Sequence, residues 1–251
     1  IQKAIQDNSP YFEKGFTKER GIAFFLQGTY SYQQRYVFAG TLNYEGSNQL
    51  GRSRSARWLH TWNASARWNV SNEKFLEDNN TISNLAFRLS YGLIAGLGAA
   101  SNALAIFENS IANRYNSADR ESMITIQSLQ NSELTWEKVY ETNVGIELGL
   151  FKNRINLSLD LYQKNSKDLI DYVRTSGIGG EIIKLANNAT MVTKGIELAL
   201  DTKNIKTDDF SWNTGINFAY FNQEITSLLY KPNVFNLVRE VGGNVVGGAR
   251  N

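Results

Sequence analysis

The chain has 251 residues, 26 Lys+Arg against 24 Asp+Glu, a formal net charge of +2, no cysteine and one histidine. Such balanced charge offers no basic field for nucleic acid. Without cysteine there is no disulfide, thiolate metal site or cysteine nucleophile, and a lone His60 excludes a poly-histidine metal centre.

Aromatic residues make up 12% of the chain, yet only two prolines occur, Pro10 and Pro232. Proline removes a donor from a strand ladder, so its scarcity suits long strands. Mean hydropathy is −0.36. No apolar run reaches the ~18 residues of a membrane-spanning helix. The most apolar stretch, Gly92–Phe107, is rich in Gly and Ala and reads as a small-residue loop or short helix. The start, Ile1-Gln2-Lys3-Ala4, lacks the features of a signal peptide, so the chain reads as processed or as a fragment.

Period two dominates from Phe24 onward. Phe24, Leu26, Gly28, Tyr30 and Tyr32 share one face of a first strand, with Gln27, Thr29, Ser31 and Gln33 on the other. A tight turn at Gln33-Gln34-Arg35 leads to a second strand carrying Tyr36, Phe38, Gly40, Leu42 and Tyr44 on one face. The third, Arg57–Asn69, alternates Trp58, Trp62, Ala64, Ala66 and Trp68 with polar residues, and the fourth sets Leu85, Phe87, Leu89, Tyr91 and Leu93 against Arg88, Ser90 and Gly92. A fifth strand (Val144, Ile146, Leu148, Leu150) turns at Lys152-Asn153 into a sixth (Ile155, Leu157, Leu159, Leu161). A seventh carries Ile196, Leu198 and Leu200, and an eighth Trp212, Ile216, Phe218 and Tyr220.

Links sort by length. Short ones join strands one and two, five and six, and seven and eight. Long ones are Gly46–Ala56, Ile94–Leu134, Gln163–Ala189 and everything after Phe221, while Val70–Asn84 is longer than the alternation asks. Short turns at one rim, long loops at the other and aromatics near strand ends are the layout of an outer-membrane barrel. A barrel also satisfies the demand that no backbone polar group meet lipid unpaired. The expected fold is therefore all-β, a transmembrane antiparallel β-barrel. Phe24, Leu26, Leu42, Leu89, Ile146, Leu148, Leu157, Leu159, Leu198, Ile216 and Phe218 are expected to face lipid. Eight strands alone would leave two open edges, so the segment is not expected to form a stable protein by itself.

Other features read as scaffold. Trp136-Glu137 suggests an interfacial tryptophan beside a solvated carboxylate. Asp208-Asp209 suits a turn rather than acid–base work. Thr175–Gly180 is glycine-rich without the Lys-Ser/Thr of a phosphate loop. The basic run Arg52–Arg57 suits either a polar loop or lipopolysaccharide phosphates. No catalytic set is visible, so an enzyme is not expected, nor is a cofactor or metal.

Several segments, in order, resemble one family. They include Leu134-Thr135-Trp136-Glu137, Glu141-Thr142-Asn143-Val144-Gly145-Ile146-Glu147-Leu148, Leu157-Ser158-Leu159-Asp160-Leu161-Tyr162, Leu85-Ala86-Phe87-Arg88-Leu89-Ser90-Tyr91-Gly92, Lys194-Gly195-Ile196-Glu197-Leu198 and Asn222-Gln223-Glu224-Ile225-Thr226-Ser227-Leu228. The pattern resembles the SusC/RagA-type TonB-linked outer-membrane transporters of Bacteroidetes. Leu93-Ile94-Ala95-Gly96-Leu97 departs from the Gly-Asn-containing segment usual there. The resemblance implies that residues 1–251 are part of one barrel domain of about 22 strands around a plugged lumen. It places the plug and the TonB-binding segment outside this chain. It further implies integral residence in the bacterial outer membrane among its lipids, active import of oligosaccharides or peptides, a SusD-like surface lipoprotein lid and the TonB complex as partners. Phe107, Arg114, Tyr115, Asp119 and Arg120, in the Ile94–Leu134 link, are the expected contacts with lid or substrate. Two other classes stay open: a non-transporting barrel (adhesin or secretion component) and a soluble carbohydrate-binding β-sandwich.

Overall fold

A computed structural model describes residues 19–50, 54–77, 79–98, 105–113, 120–128, 130–175 and 183–229. Its strands are β1 (Gly21–Tyr32), β2 (Tyr36–Ser47), β3 (Trp58–Asn69), β4 (Ile82–Gly96), β5 (Ile106–Asn113), β6 (Arg120–Ser128), β7 (Glu137–Leu150), β8 (Ile155–Arg174), β9 (Ile183–Lys206) and β10 (Ser211–Leu228). Eight form one sheet in the order β1-β2-β3-β4-β7-β8-β9-β10, and β5 and β6 pair separately. Every pairing is antiparallel. The large sheet is open, with β1 and β10 at its edges.

Register carries the alternation across the sheet. One row runs Leu26, Leu42, Trp62 and Leu93, and another runs Leu89, Val144, Leu161, Ile196 and Tyr220. Ile146, Leu159, Leu198 and Phe218 make a third. Directly paired residues point to the same side, so all eleven residues expected to face lipid share one face. Phe24, Leu26, Leu42, Leu89, Ile216 and Phe218 are more than half exposed. Among the described residues no second sheet covers them; substantial contacts run between sheet neighbours and to short helical pieces. A soluble sandwich buries such a face.

Two aromatic belts bound that face. Near the short turns, Tyr36 stacks on Trp68 at 6.4 Å and Trp68 lies 6.1 Å from Phe87. Toward the opposite rim, Tyr44 stacks on Trp58 at 4.8 Å and meets His60 at a tilt at 4.6 Å, and Trp62 meets Tyr91 edge-on at 5.3 Å. Tyr36 and Tyr44 lie on β2, about 27 Å apart at ~3.4 Å per residue. A strand tilt of ~40° makes that about 20 Å along a membrane normal, close to the apolar band of a membrane barrel. His60 belongs to the belt of that opposite rim, as a barrel-end residue.

Antiparallel order sorts the links onto two rims. The turn at Gln33–Arg35 has positive φ at Gln33 (48°) and Gln34 (56°), the mirror-image turn that matches strand twist. Phe151, Lys152 and Asn153 likewise have positive φ (52°, 57° and 58°) in the turn between β7 and β8. The Val70–Asn84 link lies on this same rim. It is compact rather than loose: 3₁₀ turns at Val70–Asn72 and Lys74–Leu76 fold it against the first turn. There Arg35 donates to the Asn72 carbonyl (3.0 Å), and Asn69 and Asn72 donate to the Gln34 carbonyl (2.8 and 2.9 Å). The β2–β3, β4–β7 and β8–β9 links stand on the opposite rim. Asp208-Asp209 lies in the turn between β9 and β10.

Three expectations change. The Gln163–Ala189 link is mostly strand, because β8 runs on to Arg174 and β9 begins at Ile183. The reason is a register shift between Ser166 and Leu169, with Asp168 at φ 58°, which breaks the phase of the alternation. Similarly β10 continues past Phe221 to Leu228. Within Gly92–Phe107, Gly92–Gly96 completes β4 and Ile106–Phe107 opens β5, so the described ends of this stretch are strand, not helix. The Ile94–Leu134 link thus carries a hairpin. Of Thr175–Gly180 only Thr175 lies within the described residues, and of Arg52–Arg57 residues 54–57 form one helical turn.

Candidate functional site

The polar parity forms a second continuous face. At its centre, Arg67 on β3 makes a two-pronged contact with Glu147 on β7, at 3.0 and 2.6 Å, reaching over β4. Arg88 on β4 places Nε 3.2 Å from the same carboxylate and Nη2 3.0 Å from Asp160 on β8. Ser158 donates to Asp160 (3.3 Å). Arg67 and Arg88 are direct cross-strand partners, and Glu147 separates their like charges. These side chains are partly exposed, at 22 to 37%. Solvent screening keeps their energy modest, and their effect is to fix side-chain positions on the wall.

Beside this chain of charges lie two adjoining depressions. One, of about 300 Å³, is lined by Asn63, Arg88, Ser90, Glu141 and Asn143 over Gly92. The other, of about 380 Å³, is lined by Tyr162, Lys164, Thr193, Phe221 and Gln223 among others. Ile94 and Glu141 border both, so they form one groove across β3 to β10. A Cβ on Gly92 would come within 2.7 Å of the Trp62 carbonyl, and one on Gly195 would strike the Tyr162 ring. Both glycines therefore let neighbouring groups lie close to the strands. Sequence reading missed this groove. Its signal was Tyr162 and Phe221, two aromatics at polar parity.

The long-link rim has its own small core. Leu50, Leu134, Trp136 and Ile170 are buried together, with Leu59, Ala95, Leu97 and Leu185 against them. Trp136 is 5% exposed and its indole N–H donates to the Arg57 carbonyl at 3.1 Å. Glu137 Oε1 accepts the Ile170 amide at 2.8 Å, and Lys138 reaches Asp168 at 2.8 Å. The Asn187 side chain accepts from the Thr135 amide (3.0 Å) and donates to the Thr135 (2.9 Å) and Asp168 (2.7 Å) carbonyls. Trp136 is thus buried rather than interfacial, and Glu137 is only partly exposed. Together they tie the end of the long link to the β8 bulge, where the extended β8–β9 hairpin supplies apolar cover that the sequence reading had placed in a loop.

Of the expected contact residues, Phe107 lies on β5 and is 63% exposed, on the same face as Ile124 and Ile126 across the hairpin. Arg120 opens β6, its backbone paired with Asn113. Arg114, Tyr115 and Asp119 lie outside the described residues. Among the described residues no cluster of three or more His, Cys, Asp or Glu is placed to hold a metal.

An open antiparallel sheet with one belted apolar face, one polar face and rim-sorted links has the form of a barrel wall. A family model for the TonB dependent receptor-like β-barrel matches residues 3–249. The chain belongs to that family. SusC, a TonB-dependent receptor of Bacteroides thetaiotaomicron, is 28% identical over 217 residues, 84% of this chain and 21% of that protein. The TonB-dependent receptor P3 of Formosa agariphila is 26% identical over 208 residues, 82% of this chain and 20% of its own length. The chain therefore spans about a fifth of the curated relatives it matches. Among solved structures, the RagAB peptide importer in a closed state matches with a TM-score of 0.74 at 24% identity, covering 85% of this chain and 23% of that one. The siderophore receptor PirA of Pseudomonas aeruginosa matches at 0.52 and 12% identity over 82% of this chain and 35% of that one. These likenesses show the TonB-dependent barrel fold. The matched relatives are receptors and transporters, and their family is one of the bacterial outer membrane.

Proposed function

We propose that these residues form part of the wall of an active outer-membrane importer for oligosaccharides or peptides. The observation that carries this reading is the division of one sheet into two faces. An apolar face between aromatic belts suits lipid, and a polar face with paired charges and a groove suits a water-filled or plugged lumen. Membership of the TonB-dependent family adds energy supply from the inner membrane through TonB, acting on a plug carried outside these residues. The likeness to the RagAB peptide importer supports substrates of that size class. It also supports a lipoprotein lid over the long-link rim, where the β5–β6 hairpin exposes Phe107.

Gene deletion tests the reading. Cells lacking the protein should fail to take up one class of oligosaccharide or peptide, and cells lacking TonB should show the same defect. A null mutant with normal uptake and altered adhesion or secretion would favour a non-transporting barrel instead. Copurification with a surface lipoprotein tests the lid.

A further inference from the structure

We propose that Lys138, Lys167 and Lys194, on the outer side of the wall, hold the phosphates of a phosphorylated glycolipid of the outer leaflet; this rests on the outer-membrane placement in the importer reading, with the long-link rim outward. Three observations carry it. First, the apolar face changes character along β7, β8 and β9, strands that are each paired on both sides. The row Val144, Leu161 and Ile196 is its last wholly apolar row there. The next toward the long-link rim is Thr142, Gln163 and Lys194, then Tyr140, Asn165 and Val192, then Lys138 beside Lys167. Lys194 stands two residues beyond Ile196 and Lys167 six beyond Leu161. That is about 5 and 16 Å along the membrane normal, at ~3.4 Å per residue and a tilt of ~40°. Acyl chains give way to headgroups over that distance.

Second, the wall carries two like-charge pairs, and only one has its counter-ion built in. On the polar face Arg67 and Arg88 are cross-strand partners, and Glu147 bridges them. On the outer face Lys138 and Lys167 are cross-strand partners. Lys138 reaches Asp168 at 2.8 Å, but the Lys167 ammonium meets no carboxylate and lies over the Tyr140 ring at 5.3 Å. Like charges directly opposite repel, and an external anion beside them relieves the repulsion.

Third, the charges are available and their surroundings are selective. Lys167 and Lys194 are exposed and, among the described residues, make no hydrogen bond or ion pair. Of the nearby carboxylates, Asp168 is taken by Lys138 and Glu137 by the Ile170 amide, while Glu224 stands on β10, two strands from Lys167. The side-chain amides of Gln163 and Asn165 lie between the lysines and suit sugar hydroxyls. The apolar rows beneath suit acyl chains. A phosphorylated glycolipid joins all three chemistries, and basic residues at a membrane surface recognise its phosphates.

The test uses the full-length protein, delipidated in detergent, with bisphosphorylated lipid A, the same lipid dephosphorylated and phosphatidylglycerol as probes in native mass spectrometry. Bisphosphorylated lipid A should stay bound. Lys167→Gln should weaken it by about fivefold and Lys167→Gln with Lys194→Gln by about thirtyfold. Lys167→Arg should keep the affinity, and so should Lys206→Gln, the same loss of charge at the short-turn rim. Heat-modifiable gel migration checks assembly, and Lys194→Gln alone reads the same site if the Lys167 variant fails to assemble. Equal retention of the dephosphorylated lipid, equal affinity in the variants, or phosphatidylglycerol held as tightly through the same lysines would overturn the proposal. Uptake that needs TonB beside lipid binding that ignores the lysines discards the site and keeps the importer. Uptake indifferent to TonB beside lysine-dependent binding discards the importer and keeps the site.

Discussion

Arg88 on β4 and Asp160 on β8 meet at 3.0 Å across Gly145, the β7 residue paired with both. A Cβ there would lie 2.6 Å from the Asp160 carboxylate and 3.0 Å from the Arg88 guanidinium. Glycine in mid-strand normally weakens a sheet. Here it leaves room for an ion pair between strands that are not neighbours. Gly145→Val should displace both side chains and destabilise the full-length barrel by about 1–3 kcal/mol. Urea unfolding of the protein refolded in micelles measures it, and an unchanged midpoint would show that the pair moves aside freely.

The two faces should respond oppositely to charge. Leu159→Arg, mid-strand at apolar parity, is expected to cost about 2–4 kcal/mol of barrel stability. Asn217→Arg, at polar parity on β10, should cost well under half of that. Equal costs would mean that the faces do not see different solvents.

Glu73 gives the short-turn rim a pH dependence. Its carboxylate accepts from Tyr36 (2.8 Å) and Trp68 (3.1 Å) and lies 3.4 Å from Arg35. The Tyr36 hydrogen bond first, then that of Trp68, hold its carboxyl below the usual range. A depressed pKa means that this contribution is present above the unfolded-state value and is lost as pH falls through the folded one. Glu73→Gln should therefore lower stability in the neutral region, where the ionised carboxylate contributes, and converge on wild type at acidic pH, which flattens the acid limb. Unfolding midpoints across mildly acidic pH, wild type against variant, check this.

The β5–β6 hairpin should be separable from the wall. Replacing residues 105–128 with a short Gly-Ser linker should leave heat-modifiable migration intact, because the hairpin forms its own sheet. Uptake or lipoprotein capture should fall. A deletion that transports normally and retains its partner would make the hairpin a plain surface loop.

Much of the wall was legible in the sequence because period-two alternation of large apolar residues runs through β1 and β2 from Phe24 to Tyr44, with Phe25 and Val37 the exceptions, and within β7 to Leu150 and β8 from Ile155 to Leu161. It failed where local geometry shifts phase. The Asp168 bulge hid the outer half of β8 and its continuation with β9, and with them the apolar partners that bury Trp136. The β5–β6 hairpin was hidden because its strands, Ile106–Asn113 and Arg120–Ser128, mix polar and apolar residues on each side and pair only with each other. The groove was hidden for another reason: Asn63, Asn143 and Phe221 come together only through register across six strands.

The most direct test of the two-faced wall is a cysteine scan of Leu157 to Leu161, possible because the chain has no cysteine of its own. Spin labels at each position, in the full-length protein in lipid bilayers, would be probed by collision with oxygen and with a water-soluble nickel chelate. Oxygen should dominate at positions 157, 159 and 161 and the chelate at 158 and 160, with a period of two. Uniform accessibility, or oxygen preference at 158 and 160, would contradict the assignment of apolar face to lipid and polar face to lumen.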